Sequence, residues 1–568
     1  VRPGASVHVT QRIADSDASA NAIRHHGSGV AVLLTGGDGG NIAGDGDGYR
    51  AGDGGDAGSI DAMGAVLDIA DANVVTSGNG LPALLVRVRG GTGGAGLPQA
   101  EPSSRPLNHG GHGGNAGQAS ISVFSKRTDL RLSTDGNDAS AIEVLQQGGA
   151  GGDGAGYLDR GEFEAGDGGT GGRVGNLWLD LSASSAEPLI ITTTGSNSHG
   201  IYARQLGGEG GDGGTMDGGT VGPGSRMSTG GPGGMTDAMT ITLKNAAIST
   251  SGSRAFGIWA QNRAGNGGRG AVDNITGRTL GEGGEGGRTG DLKVSLDAAS
   301  SLFTEGAGAF GIFAQTAGGA GGNPVGDSVS NEVQDGAGGR SGGIEVHNEG
   351  IIVTQGAEAI GILAQSIAGS AGAEVTDDGM FDNTPQSGSS AGQPGGIYVS
   401  HSGAVTTRGE MAPGIVAQSV GGGGGVAIGR GVAALGGSAA TTALLSDARE
   451  SYVQAHSLGS VMTHGRASIG ILTQSVGGGG GLAAAEGRIG TLGSSGGKGG
   501  QPGRGDAYLE NFRVVTLGSN AHGVVAQSVG GGGGVLSNAN AKSWFASLKL
   551  GQAGGDGGAG GSAVVDLY

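Results

Sequence analysis

The chain has 568 residues, of which 136 are glycine; aromatics make up 3%, charged residues 14%, cysteine is absent and the formal net charge is −18. So few large side chains cannot fill a wide globular core, which leaves a narrow core repeated many times. The acidic balance argues against nucleic acid and anionic lipid, which need basic patches. No apolar run approaches the ~18 residues of a membrane span, and there can be no disulfide framework.

In chain order, the first element is a strand pattern, Ser6-Val7-His8-Val9-Thr10. A repeated phrase then organises everything that follows. Its weaker copies begin at Gly29, Ala83, Ala141 and Gly200. Its full copies are Gly257-Ile258-Trp259-Ala260-Gln261, Gly311-Ile312-Phe313-Ala314-Gln315, Gly361-Ile362-Leu363-Ala364-Gln365, Gly414-Ile415-Val416-Ala417-Gln418, Gly470-Ile471-Leu472-Thr473-Gln474 and Gly523-Val524-Val525-Ala526-Gln527. Successive starts lie 50 to 59 residues apart. A Thr-x-Gly step precedes nine of the ten copies, from Thr76 to Thr516, with its glycine five residues upstream; the first unit has Arg24-His25-His26-Gly27 there instead. A third segment alternates polar and apolar residues, as in Leu292-Lys293-Val294-Ser295-Leu296 and Ile397-Tyr398-Val399-Ser400.

Alternation with period two marks a strand with one buried face. The Thr-x-Gly step predicts a strand ending in a turn whose glycine takes positive φ. The Gly-Ile-x-Ala-Gln phrase is apolar at consecutive positions, so its strand is covered on both faces. Three strands per unit, stacked about ten times, predict an all-β fold: a right-handed parallel β-solenoid running through residues 1–568 as one continuous domain. About 26 strand residues per unit cannot bury a core alone, and stacking supplies one. Stacking also places Gln261, Gln315, Gln365, Gln418, Gln474 and Gln527 in one column. The functional reading of that column is a carbohydrate-contacting stripe; the structural reading, an amide ladder, is favoured.

Between repeats the chain leaves and returns through glycines, as at Gly148–Asp153 outward and Gly166–Arg173 back. Non-glycine residues in these runs recur every third position, at His109, His112, Asn115 and Gln118, or at Glu282, Glu285 and Arg288. Three residues per turn is the period of the polyproline II helix. The runs are therefore expected to form such helices, layered on one solenoid face over the outer apolar positions of the glutamine strand. The tips between runs, such as Leu158 to Phe163 and Trp544-Phe545, would carry adhesive contacts.

No site chemistry stands out. Gly207 to Gly214 and Gly148 to Ala155 begin like a calcium-binding roll but place glycine or alanine at its apolar position. Lys498 is followed by glycine, so no phosphate loop exists. The eleven histidines are scattered and the carboxylates sit mostly in the runs, where they read as solvated charge. No Asp, Arg or Lys cluster is confined to a few adjacent coils, as a polysaccharide-cleaving β-helix requires. The threonine column lacks the Thr-x-Thr pattern of ice-binding faces. Catalytic, cofactor and metal sites are thus expected to be absent.

The phrase Gly414-Ile415-Val416-Ala417-Gln418-Ser419-Val420 with its five following glycines, and its kin at Gly470 to Gly481 and Gly523 to Gly534, resembles the passenger regions of large bacterial autotransporter proteins. The resemblance runs along the whole chain through its repeats. It implies a parallel β-helix at the outer surface of a Gram-negative cell, with a structural, adhesive or biofilm role. The partners it implies are a host surface, a glycan or another copy of the chain. The final strand pattern, Ala563 to Tyr568, begins an eleventh unit without a cap. The chain is therefore expected to be part of a longer one or, alternatively, a subunit stacking head to tail into a filament.

Overall fold

The computed structural model describes residues 23–25, 29–41, 53, 66–67, 73–96, 109–125, 130–155, 166–183, 187–214, 228–270, 282–322, 336–369, 392–421, 426–428, 451–455, 459–477, 482–485, 505–510, 512–530, 535–538 and 562–567. Among them every regular element is a strand, and every strand pairing is parallel. The expected tips at Leu158 to Phe163 and Trp544-Phe545, and the opening pattern Ser6 to Thr10, lie outside the described residues.

Three parallel sheets of ten strands each carry the chain, one strand of each sheet per repeat. The threonine sheet runs from Ile23–His25 to Arg513–Thr516, and the glutamine sheet from Val30–Thr35 to Val524–Gly530. The alternating sheet runs from Val66–Leu67 to Ala563–Leu567. Like residues pair with like: Ile258 with Ile312 and Ile362, Thr250 with Thr304 and Thr354, Leu292 with Ile344 and Ile397. Ala563–Leu567 pairs with Gly505–Leu509 as the last strand of its sheet. A fourth sheet, not foreseen from the sequence, joins Val426–Ile428, Leu482–Ala485 and Val535–Asn538, each placed after one of the five-glycine runs.

Inward side chains from all three sheets form one continuous core. Ile258, Ala260, Leu292, Val294 and Ile352 are completely buried, and the column continues through every described coil from Val30 to Leu509. The alternation of these strands decides which residues enter it. Where a glycine opens an inner glutamine strand, close approach requires it: a Cβ on Gly361 would strike the carbonyl of Gly414 and the side chain of Val405 in the next coil.

The Thr-x-Gly step works differently from the expectation. Each of the nine threonines turns its hydroxyl inward and donates to the carbonyl five residues ahead, Thr250 to Ala255 at 2.5 Å and Thr354 to Ala359 at 2.6 Å among them. This bond closes the corner between the threonine and glutamine sheets. Of the glycines in this step only Gly78 has positive φ. The left-handed residue lies two positions later, at Asp138, Asn197, Arg254, Gly308, Glu358, Met411, Ala467 and Asn520. The step's glycine is needed for a different reason. A Cβ at Gly252 would overlap the carbonyl oxygen of Gly195 in the preceding coil, and the same holds at Gly306 over Gly252 and Gly356 over Gly306.

The glycine runs are ordered by their backbones. They leave from the ends of the glutamine strands and return into the alternating strands, so the outgoing and returning runs make two rows. Within the outgoing row, Gly93 N–H donates to Ala150 O, Gly151 to Glu209 O and Gly210 to Asn266 O, each at 2.8 Å. Within the returning row, Gly113 donates to Thr170 O at 2.8 Å and Gly171 to Pro232 O at 2.9 Å. Between rows a zigzag chain of bonds climbs the molecule: Gly114 to Gly91, Gly149 to Gly114, Gly172 to Gly149, Gly208 to Gly172, and on through Gly234, Gly265, Gly287, Gly319, Gly339 and Gly369 to Gly392. Each run therefore bonds to neighbours on several sides. A Cβ on Gly172 would overlap the carbonyl of Gly114, and one on Gly148 the carbonyl of Gly172.

Two changes test this arrangement. Thr250→Val removes one hydroxyl and leaves the Ala255 carbonyl buried without a donor, at a cost of about 1–3 kcal/mol. Gly172→Ala drives a methyl into a backbone carbonyl that no rotamer can avoid. Both are expected to lower the thermal midpoint, the second more, with faster amide exchange centred on the coil that carries the change. A Gly172→Ala protein that melts with the wild type would disprove the close packing of the rows.

Candidate functional site

The outer face of the glutamine sheet concentrates the side chains with functional promise. Because alternation sends Ile258 and Ala260 inward, Trp259, Gln261 and Arg263 face outward. The structure brings all six glutamines singled out in the sequence into one column. Gln261 Nε2 donates to Gln315 Oε1 at 2.7 Å, Gln315 to Gln365 and Gln365 to Gln418 at 2.8 Å, Gln418 to Gln474 at 2.5 Å and Gln474 to Gln527 at 2.6 Å. Arg204 caps the column, its Nε donating to Gln261 Oε1 at 2.8 Å. Gln261 to Gln474 are buried, so their amides spend their hydrogen-bonding capacity on one another.

Beside the ladder runs an apolar stripe. Phe256, Phe313, Ile360, Leu363, Val416, Ile469 and Leu472 form a second buried cluster, distinct from the central core. At its N-terminal end the stripe becomes aromatic. Phe256 stacks on Phe310 at 4.6 Å and on Trp259 at 5.0 Å, and Trp259 meets Tyr202 edge-on at 5.4 Å. His199 lies within this group, stacked on Tyr202 at 5.2 Å, with its Nδ1 accepting from the Phe256 N–H at 3.0 Å. Burial holds its pKa down to about 3, because an imidazolium there would lose its hydration. Burial likewise lowers His401, whose Nδ1 pairs with Asn348 Nδ2 at 3.0 Å inside the corner between the alternating and threonine sheets.

One column escaped sequence reasoning. The residue after each ladder position points inward and is polar: Gln146, Gln205, Asn262, Thr316, Ser366 and Ser419, all buried. Each reaches across the throat of a glycine excursion to a carbonyl where the chain re-enters the coil. Gln146 donates to Gly117 O at 2.7 Å, Gln205 to Gly175 O at 2.6 Å, Asn262 to Asp237 O at 2.8 Å, Thr316 to Gly342 O at 2.7 Å and Ser419 to Gly395 O at 3.0 Å. The signal was present as the Ser that follows Gln365, Gln418 and Gln474, on a face that alternation assigns to the core. Side-chain length falls from Gln to Ser along the column, which hides it as a repeat.

The carboxylates at every third position of the runs remain solvent-accessible, as expected from the sequence, and they also accept bonds from backbone. Asp38 accepts from the Thr92 N–H at 2.8 Å, Asp153 from Asp212, Glu209 from Asn266 and Asp212 from Arg269. In the returning row His109 Nδ1 accepts from the Asp167 N–H at 2.9 Å, His112 Nδ1 from Thr170 at 3.0 Å and Asn115 from Arg173 at 2.8 Å. Each side chain thus satisfies the one N–H of the next coil that faces away from other runs. The Thr92 bond holds the Asp38 carboxyl below the usual carboxylate range.

Two outcomes follow. Gln365→Leu leaves the Gln315 amide N–H and the Gln418 carbonyl without partners in a buried row, costing about 1–3 kcal/mol for each orphaned group. A thermal midpoint equal to the wild type would show that the ladder contributes nothing. For acid, the unfolded His199 titrates near 6.5 and the folded one near 3, so between these values only the unfolded chain takes up the proton. Stability is therefore full above about pH 6.5 and falls with decreasing pH, by up to about 1.4 kcal/mol per pH unit for such a histidine. His199→Gln is expected to flatten the fall in melting temperature between pH 6 and pH 4; an unchanged slope would contradict the burial of the neutral ring.

No family model and no curated protein matches the chain. Among solved structures, the catalytic domain of a GH87 alpha-1,3-glucanase in complex with tetrasaccharides is matched at a TM-score of 0.14 and 8% identity, over 91% of this chain and 68% of that one. A likeness at that level carries no argument about this chain's fold or function.

Proposed function

We propose that the chain is a non-enzymatic, extracellular surface element, a right-handed β-solenoid rod of autotransporter-passenger type with structural and adhesive roles. The right hand follows from the general rule for parallel crossovers. Ten coils at about 4.8 Å each make a rod segment of roughly 48 Å. In this reading the glycine runs are polyglycine II-like helices packed on one face of the solenoid, their two rows joined by backbone bonds.

The observation that carries the proposal is the hydrogen-bonded glycine slab, stacked on the solenoid coil by coil. Ordering glycine costs more backbone entropy than ordering any other residue, roughly 1–2 kcal/mol per residue or more. A catalytic scaffold has no use for so large an ordered structure away from a pocket. A rod that must resist bending does, because a second hydrogen-bonded layer beside the coil stack raises its stiffness. The internal use of the glutamines, carboxylates and histidines supports the same reading. So does the phrase shared with autotransporter passengers, which supports a place on the outside of the cell.

Two measurements test it. Electron microscopy of the purified protein is expected to show straight rods, and amides of the run glycines should exchange as slowly as those of the strands. Protease treatment or antibody labelling of intact producing cells should reach the protein. A chain that is confined to the cytoplasm, or whose run amides exchange at coil-like rates, would overturn the proposal.

A further inference from the structure

The corner where the outgoing glycine row meets the outer face of the glutamine sheet is not uniform along the rod. Four successive coils, those ending in Arg89, Gln147, Leu206 and Arg263, leave an open trough of about 560 Å³ between the strand ends and the row. Three coil steps give it a length of about 14 Å. Its floor is glycine backbone at Gly148, Gly149, Gly207 and Gly208, and Thr92, Glu209 and Asn266 stand along its outer rim. In the next three coils the same strand-end column is Ala317, Ile367 and Val420, and it is buried. The trough is therefore a local feature rather than a property of the repeat.

The trough also differs in charge from the rest of the molecule. The chain carries 50 acidic against 32 basic residues, yet the outer face of these coils presents Arg87, Arg89, Arg204 and Arg263. Arg87 is paired with Glu143 at 2.7 Å. Arg204 is held by the Tyr202 hydroxyl at 2.9 Å and by Gln261 at 2.8 Å, with its guanidinium over the Tyr202 ring. Both are held on the outer face by these partners. Arg89 and Arg263 stand at opposite ends of the trough, with amide, hydroxyl and carboxylate groups between them.

We propose that this trough binds a linear acidic glycan, its chain lying along the rod axis. The inference rests on the adhesive reading above and names the ligand class for it. Guanidinium groups recognise carboxylates through paired hydrogen bonds. The polar rim suits sugar hydroxyls. The backbone floor, lacking side chains, lets a flat ring approach closely. A strongly acidic chain repels polyanions in general, so two arginines in one shallow trough select for short local contacts rather than for a nucleic acid.

The test is titration of the whole chain with hexameric oligogalacturonate and, separately, with maltohexaose as the neutral counterpart. The acidic hexamer is expected to bind at least tenfold more tightly than the neutral one. The double variant Arg89→Gln/Arg263→Gln is expected to remain folded and to lose at least tenfold in affinity. Arg131→Gln/Arg513→Gln, with the same change in charge on the threonine sheet, should bind as the wild type does. No binding of the acidic hexamer, equal binding of the neutral one, or an equal loss in the control variant would overturn the site. Adhesion to a cell layer separates the two ideas. If it survives in a trough variant that no longer binds the hexamer, the trough is not the adhesive surface; if the wild type does not adhere at all, the adhesive reading itself fails.

Discussion

The structure depends on one constraint, the fixed spacing of parallel backbone ladders. A coil can sit only about 4.8 Å from the next, and only in a register that keeps Ile258 over Ile312 and Thr250 over Thr304. Once that spacing is imposed, every outward or inward position becomes a column, and each column must be chemically self-compatible. Ile and Leu columns make the core. The threonine column closes a corner nine times over. The glutamine column can exist buried because an amide is both donor and acceptor and so bonds to a copy of itself, which a carboxylate or an ammonium cannot do.

The same constraint accounts for the glycine rows. An excursion leaves each coil from the same place, so neighbouring excursions start in register. Their N–H and C=O groups cannot be satisfied within a three-residue-per-turn helix. They are satisfied by the runs above, below and beside them, as the zigzag from Gly91 to Gly392 records. That arrangement needs both inward edges of each run to lack a Cβ, and it leaves the third residue outward. The outward residue then has an N–H with no backbone partner, and Asp38, Asp153, His109 and Asn115 supply one from the previous coil. The solvent-facing acidic residues of the runs are thus also the last row of the hydrogen-bond lattice.

The parts legible in the sequence are those where identity is conserved from coil to coil within the chain itself. Thr-x-Gly and Gly-Ile-x-Ala-Gln announce their columns because the same residue type recurs at a fixed offset. Features that several residue types can fulfil were hidden. Positive φ is taken up by Asp138, Asn197, Arg254, Glu358 and Ala467, which share no side-chain chemistry, so the turn's strained position could not be read and was assigned to the glycine instead. The throat column changes from Gln146 to Ser419 because the gap it must cross is bridged by whatever length fits. The fourth sheet, at Val426–Ile428 and its two partners, follows runs of five glycines that signal only another excursion.

The trough at Arg89 to Arg263 follows from the same logic. Columns are cheap to keep uniform and costly to interrupt, because a buried column that changes chemistry leaves an unmatched step at the junction. The glutamine column gives way to Arg204 at Gln261, and the arginine bridges the step by donating to the glutamine on one side and to Tyr202 on the other. Beyond that step the strand-end column reads Arg263, Leu206, Gln147 and Arg89, where the next three coils have buried Ala317, Ile367 and Val420. Stability alone would favour extending the buried stripe through all ten coils, since each further buried Val or Leu contributes about 1.5–3 kcal/mol. The solenoid forgoes that gain over four adjacent coils, where Arg87 and Arg204 are held instead by Glu143, Gln261 and Tyr202.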